Sequence, residues 1–311
     1  MPGLFTRISD YLFYLAVRLA IMLCRMLPVS KVYSFAGSAA NLWYDIDGRR
    51  RRRAIEHIQA SFPDWDHTRV DRIARASFRS LAYLGLEASL TTRMITPSRW
   101  NQYIHLSDNR EAIRIMAQRK TGMVLVSGHL GGWEIAGYAL AALGFKGYAV
   151  ARALDNPHLN DHLIVSREKM GLKILDKRGA MNVMDKVFRD KDYLAFVADQ
   201  DAGPTGIFVD YLGRPASTYK APALVAMQYE VPLTVAYSRR LDETYRFSLE
   251  TEKIIYPHQW KSQEDPLKWI TQQYTEALER VVRRYPEQYL WIYRRWKTKP
   301  RGRKKADLRH N

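Results

Sequence analysis

The sequence is short of three things, and each shortage excludes something. It has a single cysteine, Cys24. That rules out an intrachain disulfide framework and a cysteine-rich zinc site. Cys24 lies in an apolar stretch, where a lone thiol behaves as a small hydrophobe, and such sparing use fits a reducing, cytoplasm-facing setting. Acidic residues are also scarce. Asp and Glu number 32 against 49 Lys and Arg, a formal charge of +17. Such a field attracts polyanions (nucleic acid, anionic lipid or an acidic protein) without choosing among them. Long uncharged apolar runs are missing too. A simple membrane span needs about 20 mostly uncharged residues, and the most apolar stretch, residues 4–28, is broken by Arg18 and Arg25. No small-residue cleavage site follows it, so it is no ordinary signal peptide.

What is present describes a folded protein. Its 311 residues, 47% apolar and 12% aromatic, suffice for one large α/β domain or two small ones, and argue against disorder. Wound as a helix at about 100° per residue, residues 4–28 bring Arg7, Arg18 and Arg25 within about 20° of one another. Three cations on one stripe, with Leu, Ile, Phe and Met over the remainder, suit a helix lying in a membrane interface, its guanidinium groups reaching phosphates. A tilted span with the stripe against the protein body competes with this. A buried soluble helix ranks third, because it would bury three charges.

A second apolar helix is predicted near 31–44, followed by GRRRRR at 48–53. Adjacent arginines ordinarily form a solvated face; beside a membrane helix they also hold anionic headgroups, at about 1 kcal/mol each. Residues 54–61 and 67–91 have helical periodicity, broken by Phe62-Pro63-Asp64. No repeat or Gly/Ser linker divides the rest. The expected organisation is a membrane-anchor helix over 1–30, one α/β domain over 31–297 and a basic flexible tail over 298–311.

From residue 122 the pattern changes. Short β-rich runs at 123–127, 146–151, 172–175, 193–198 and 232–238 are mostly separated by helical stretches at 131–143, 158–170 and 180–190. The alternation predicts a mixed, partly parallel central sheet flanked by helices. RFSLETEKI (246–254) reads as an antiparallel edge strand, and a helix over 266–285 closes the domain.

The chemistry-bearing stretch is VLVSGHLGGWEIAGYAL. A buried strand ends at Ser127, Gly128 turns the chain and a helix begins near Gly131. His129 thus stands at the carboxyl end of a strand, where open α/β sheets bind ligands. Gly131 and Gly132 allow close approach of substrate, and backbone N–H groups there are candidate oxyanion donors. With His129 in the turn, Glu134 folds back to one ring nitrogen and leaves the other free as a general base. An isolated His and a first-turn Glu would otherwise be read as surface residues; the strand, the glycines and Trp133 weigh against that. Asp199 and Gln200 also follow a strand. They either position substrate or satisfy loop N–H groups. Asp199 with Asp201 hints at a metal, but no third ligand has convincing spacing, so neither a metal nor a cofactor is expected.

GHLGGWE resembles the motif of the lysophospholipid-acyltransferase superfamily, and is most similar to its lipid A late-acyltransferase branch. The resemblance extends through ARALDNPHLNDHLIVSREKMG, through Asp199-Gln200 with GPTGIFVDYLGRPAST, and through RRYPEQYLWIYRRWK. These blocks run in order over most of residues 50–297. Tyr211, where Phe is common, and Lys220, where a smaller residue is expected, depart from the pattern and bear on the acyl or headgroup pocket. The resemblance implies a glycerol-3-phosphate-acyltransferase-like fold. It also implies transfer of an acyl chain from a thioester, acyl carrier protein or acyl-CoA, to a hydroxyl of a lipid A precursor or related glycolipid, at the cytoplasmic face of a bacterial inner membrane. Phospholipid and phosphatidylinositol-mannoside acyltransferases are the alternatives. Arg167, then Arg152, become the cations for a substrate phosphate or thioester, while Trp291, Arg294 and Arg295 read as structural or headgroup-facing.

Two rivals compete. A nucleic-acid-binding protein would explain the charge but not the strand–GHLGGWE–helix unit, and no nucleic-acid fold signature appears. A hydrolase would need Ser127 as nucleophile, but Gly-x-Ser-x-Gly is absent.

Overall fold

The structure, a computed structural model, describes residues 4–151, 153–169, 171–176 and 180–300. Four helices come first: α1 (Leu4–Met26), α2 (Val29–Ile46), α3 (Gly48–Ser61) and α4 (His67–Met94). Asp47 and Asp66 accept the backbone N–H groups of Arg50 and Arg69, which fixes the starts of α3 and α4. Strands and helices then alternate: β1 (Ile104–Ser107), α5 (Arg110–Gln118), β2 (Met123–Ser127), α6 (Trp133–Ala142), β3 (Gly147–Ala151), α7 (Pro157–Lys169), β4 (Leu172–Asp176), α8 (Ala180–Arg189) and β5 (Tyr193–Val197). A hairpin, β6 (Ile207–Tyr211) and β7 (Arg214–Thr218), precedes α9 (Ala221–Gln228), β8 (Leu233–Arg240), β9 (Phe247–Ile255), α10 (Pro257–Lys261) and α11 (Pro266–Arg284).

Seven strands form one sheet in the order β1-β9-β8-β2-β5-β3-β4. Every neighbouring pair is parallel except β8 with β9. The expected mixed, partly parallel α/β class therefore forms, with β2 at its centre. Side chains alternate across a strand, and β2 feeds two cores. Val124 and Val126 join the one packed by α9, α11, α3 and the start of α4; Met123 and Leu125 join the one packed by α2, α6 and the end of α4. Burial on both faces is why MVLV reads as a continuous apolar run.

Two features escaped the sequence pattern. β1 pairs in parallel with β9, so RFSLETEKI is antiparallel to β8 as expected but lies inside the sheet rather than at its edge. Four residues, IHLS, are too few to display a period. The β6–β7 hairpin turns at Leu212 and Gly213, both at positive φ. Such turns are ordinarily announced by Asn-Gly or Asp-Gly, and leucine gives no such signal.

Among the described residues no helix is long and apolar enough to cross a membrane. α1 is nonetheless no core helix: none of its described side chains is buried. Phe5 is 86% exposed, and Leu12, Phe13, Leu19 and Leu23 are exposed with it. The same surface continues on α2 through Phe35 (72% exposed), Leu42 and Ile46 (74% exposed). One member of the arginine stripe departs from the sequence reading, in which all three reach lipid phosphates. Arg25 donates to the Ser89 carbonyl at 2.9 and 3.1 Å and to Thr92 Oγ1 at 3.0 Å, while Arg18 donates to the Tyr14 hydroxyl. Arg25 thus faces the protein body, and the apolar face points outward.

The helical half is tied to the sheet by a buried ion pair. Arg240, on β8, makes a two-pronged contact with Glu87 on α4, and Tyr33 on α2 donates to the same carboxylate at 2.7 Å. Glu87 and Arg240 are both buried.

Candidate active site

The loop 128–132 leaves the central strand and is clamped on three sides. The Gly131 N–H donates to the Gln288 carbonyl at 3.0 Å, the Gly132 N–H to the Ser238 carbonyl at 3.0 Å, and the His129 carbonyl accepts from the Leu290 N–H at 3.1 Å. These contacts correct the sequence reading of Gly131 and Gly132: their N–H groups hold the loop against neighbouring segments and are not free oxyanion donors. Gly131 has φ +57, and a Cβ there would lie 2.3 Å from the Ser238 carbonyl oxygen. Glycine is thus required by backbone packing. Gly131→Ala is expected to lower stability by about 2 kcal/mol or more, from overpacking and positive-φ strain together, read as a lower urea midpoint.

His129 does not meet Glu134 as its orienting partner. Its Nδ1 lies 2.5 Å from Asp199 Oδ1, and its backbone N–H donates to Asp199 Oδ2 at 2.8 Å. One carboxylate thus fixes both the ring and the loop. The Gln200 amide nitrogen stands 3.3 Å from Nε2. With Nδ1–H donating to Asp199, Nε2 is left with its lone pair toward that amide, the tautomer of a general base. Trp133 and Tyr293 hold the ring edge-on, with centroids at 4.8 and 5.0 Å.

Asp199 is buried. Burial pushes its carboxyl up, but the charge that His129 carries when protonated, the two His129 hydrogen bonds and the Arg295 charge outweigh this and hold it below the ordinary carboxylate range. Arg295, also buried, donates to the carbonyls of Gln200 (3.2 Å) and Ser217 (2.5 Å) and to Thr218 Oγ1 (2.6 Å). It ties the Asp199–Gln200 loop to the hairpin, which gives it the structural side of its sequence reading. Asp201 accepts from the Thr298 N–H (3.1 Å) and hydroxyl (2.8 Å), and so pins the C-terminal segment. Among the described residues no group of three or more His, Cys, Asp or Glu could hold a metal.

Glu134, in the first turn of α6, pairs instead with Arg167 of α7. Arg167 Nη2 lies 2.6 Å and Nε 3.1 Å from the carboxylate oxygens. The first turn of α6 aims Glu134 at α7. Arg152 lies outside the described residues.

Glu134, Arg167 and Ser127 line the same apolar cavity, of about 140 Å³, between the sheet and α5–α6. Its walls use small side chains, among them Ala136, Gly137, Ala149, Ala195 and Ala236, and Tyr193 lies toward the far ends of the strands. Trp133 lines the cavity and touches His129. Ser127 Oγ is buried with no hydrogen-bond partner, so no base activates it as a hydrolase nucleophile. Tyr211 lies outside the cavity wall; it is buried and stacks on Trp296.

Asp199 as the partner of His129 was the main residue missed. The signal lies in the register. Ser127 and Val197 are paired across β2 and β5, and His129 and Asp199 each stand two residues past them. Strand adjacency, invisible in sequence, converts that equality into contact.

Comparison with known proteins places the chain in a family. The family model for bacterial lipid A biosynthesis acyltransferase matches residues 5–298. The lipid A biosynthesis lauroyltransferase of Escherichia coli (strain K12) is 23% identical over 282 residues, covering 89% of this chain and 88% of that protein. The phosphatidylinositol mannoside acyltransferase of Mycobacterium tuberculosis (strain ATCC 25618 / H37Rv) is 29% identical over 111 residues, 34% of this chain and 35% of that protein. Among solved structures, the 1-acyl-sn-glycerophosphate (LPA) acyltransferase PlsC from Thermotoga maritima is similar at a TM-score of 0.35 and 12% identity, covering 85% of this chain and 97% of that one. The match over nearly the whole length settles the class of enzyme: the chain is an acyltransferase and belongs to the bacterial lipid A biosynthesis acyltransferase family.

Proposed function

We propose that the protein moves a fatty acyl chain from an acyl thioester, on acyl carrier protein in preference to CoA, to a hydroxyl of a lipid A precursor or related glycolipid, with His129 as general base. The observation that carries this is the His129–Asp199 pair beside an apolar cavity, with Nε2 left as the acceptor. The hydroxyl proton passes to Nε2 as the oxygen attacks the thioester carbonyl. Asp199 supports the imidazolium so formed. As the tetrahedral intermediate collapses, the C–S bond breaks and the imidazolium proton goes to the thiolate. The cavity takes the acyl chain, and the Glu134–Arg167 pair borders it. Gln200 positions the acceptor oxygen. Basic charge suits an acidic carrier protein, while a phosphatidylinositol-mannoside acceptor with a CoA donor remains the second reading, favoured by the mycobacterial relative.

Membrane association belongs to the same proposal. α1 is the anchor and lies in the interface of a bacterial inner membrane, at its cytoplasmic face, with its apolar side and that of α2 entering the acyl region and anionic lipids retained by the basic surface. The full chain is expected to float with anionic vesicles. Leu12→Asp with Phe13→Asp should leave it at the bottom of the gradient; unchanged flotation would remove α1 from the interface. Mass spectrometry of lipids from cells with and without the gene tests the transfer itself. One acyl mass gained or lost names the acceptor and chain length, and no lipid difference, with no transfer by purified protein, would refute the assignment.

A further inference from the structure

The arginine run and the C-terminal segment, 239 residues apart in sequence, meet in space. Arg53 of α3 donates to the Ile292 carbonyl at 3.0 Å. Arg214, at the start of β7, lies 3.5 Å over the Trp296 ring and donates to Ser61 Oγ at 2.7 Å. His57, one turn after Arg53, packs edge-on against Trp296 and contacts the Trp291 carbonyl at 3.1 Å. Arg53 and Arg214 therefore meet, around one turn of α3, the segment that carries Arg294 and Lys299. Arg49, a turn earlier, extends the group.

None of these five cations has a carboxylate partner within ion-pair distance among the described residues. The acid nearest in sequence to the run, Asp47, is held by Arg50. Two groups in the cluster feel the neighbouring charges: burial, then Arg294, Arg49 and Arg50, lowers Arg53, and burial with Arg214, Arg53 and Lys299 brings His57 down to about 4. Arg49 and Arg50 also stand in the first turn of α3, where the helix dipole opposes positive charge. Like charges left unpaired at such a place attract an anion.

Position narrows the anion. Arg294 follows Tyr293, whose ring touches His129. The run follows Ile46, the exposed end of the apolar α2 surface, which sets the arginines at the level where the lipid's polar headgroups begin. Resting on the acyl-transfer reading above, we infer that Arg49, Arg53, Arg294 and Lys299 form a binding site for a phosphate on the headgroup of the acceptor lipid. The guanidinium fork suits phosphate oxygens. The phosphate fixes the headgroup so that its hydroxyl reaches His129 from the membrane side.

The test uses the full chain and two detergent-solubilised probes: an acylated glycolipid bearing a phosphate monoester, and the same lipid after phosphate removal. Binding is measured without donor, and transfer in parallel. Arg49→Gln with Arg294→Gln changes two exposed side chains. It should weaken binding of the phosphorylated lipid about tenfold and raise its KM similarly at unchanged kcat. Wild type should show the same loss toward the dephosphorylated lipid, to which the double variant adds nothing further. Arg72→Gln, an exposed arginine on α4, serves as control. Unchanged binding in the double variant, an equal loss toward the dephosphorylated lipid, an equal loss in the control, or a rise in the donor KM alone would each overturn the inference. Phosphate-dependent binding without any transfer would instead strike the acyl-transfer reading and leave this site standing.

Discussion

Replacing Asp199 by Asn is expected to lower kcat for acyl transfer by roughly 10²–10⁴-fold, the range a positioned general base supplies, with little change in KM. The substitution keeps the size of the side chain and removes its charge. Asn cannot offset an imidazolium, and an amide nitrogen turned toward Nδ1 favours the tautomer that protonates Nε2. His129→Ala should fall in the same range, and the double variant should be little worse than either single, because the two residues act as a unit. Glu134→Gln is the discriminating comparison. Its carboxylate meets Arg167, so its loss should disturb the cavity border and the substrate KM more than the base. Steady-state kinetics of the four variants read this directly. A Glu134→Gln enzyme that loses the base function while Asp199→Asn retains it would show that the resting geometry rearranges before catalysis. A stability signature follows as well. A carboxyl held below its ordinary value stabilises the fold above about pH 4 and loses that contribution as pH falls through its folded value. The acid limb of unfolding should therefore be shallower in Asp199→Asn.

The second large effect is structural. Glu87→Gln should destabilise the fold by about 3–5 kcal/mol, because it leaves the Arg240 guanidinium charged and buried. In melting temperature this is a fall of roughly 10 °C. Tyr33 would also lose a charged acceptor. Glu87→Gln combined with Arg240→Met should recover much of the loss, since a buried pair is less costly to replace whole than to break. Calorimetry on the four proteins gives the cycle, and additive single effects would deny the coupling. The backbone N–H and carbonyl of Arg240 exchange hydrogen bonds with the Gln288 side chain, at 2.8 and 2.9 Å, and the Gln288 carbonyl holds Gly131. The strand position that carries the pair therefore also supports the loop 128–132, through Gln288.

Much of the site was visible in local sequence. A buried strand, a glycine turn and a helix start placed His129 at a strand end, and the same reasoning placed Asp199 and Gln200 at another. The partner of His129 was not visible, because proximity along the chain favours Glu134, five residues away, over Asp199, 70 residues away. The glycines show a similar limit. Their need for small size was readable, but packing against Ser238 and Gln288, rather than substrate approach, is what demands it at Gly131.

Sequence by itself determined the alternation of strands and helices, the continuous burial of β2, the arginine stripe of α1 and the residue types of the site, because periodicity and turn chemistry are local. Tertiary structure decided which carboxylate serves His129, which way Arg25 points, that β9 lies inside the sheet, and that a cation cluster joins α3 to the C-terminal segment. Those choices depend on which strands pair and which surfaces meet, and the free energy that selects them is gathered from contacts across the whole chain.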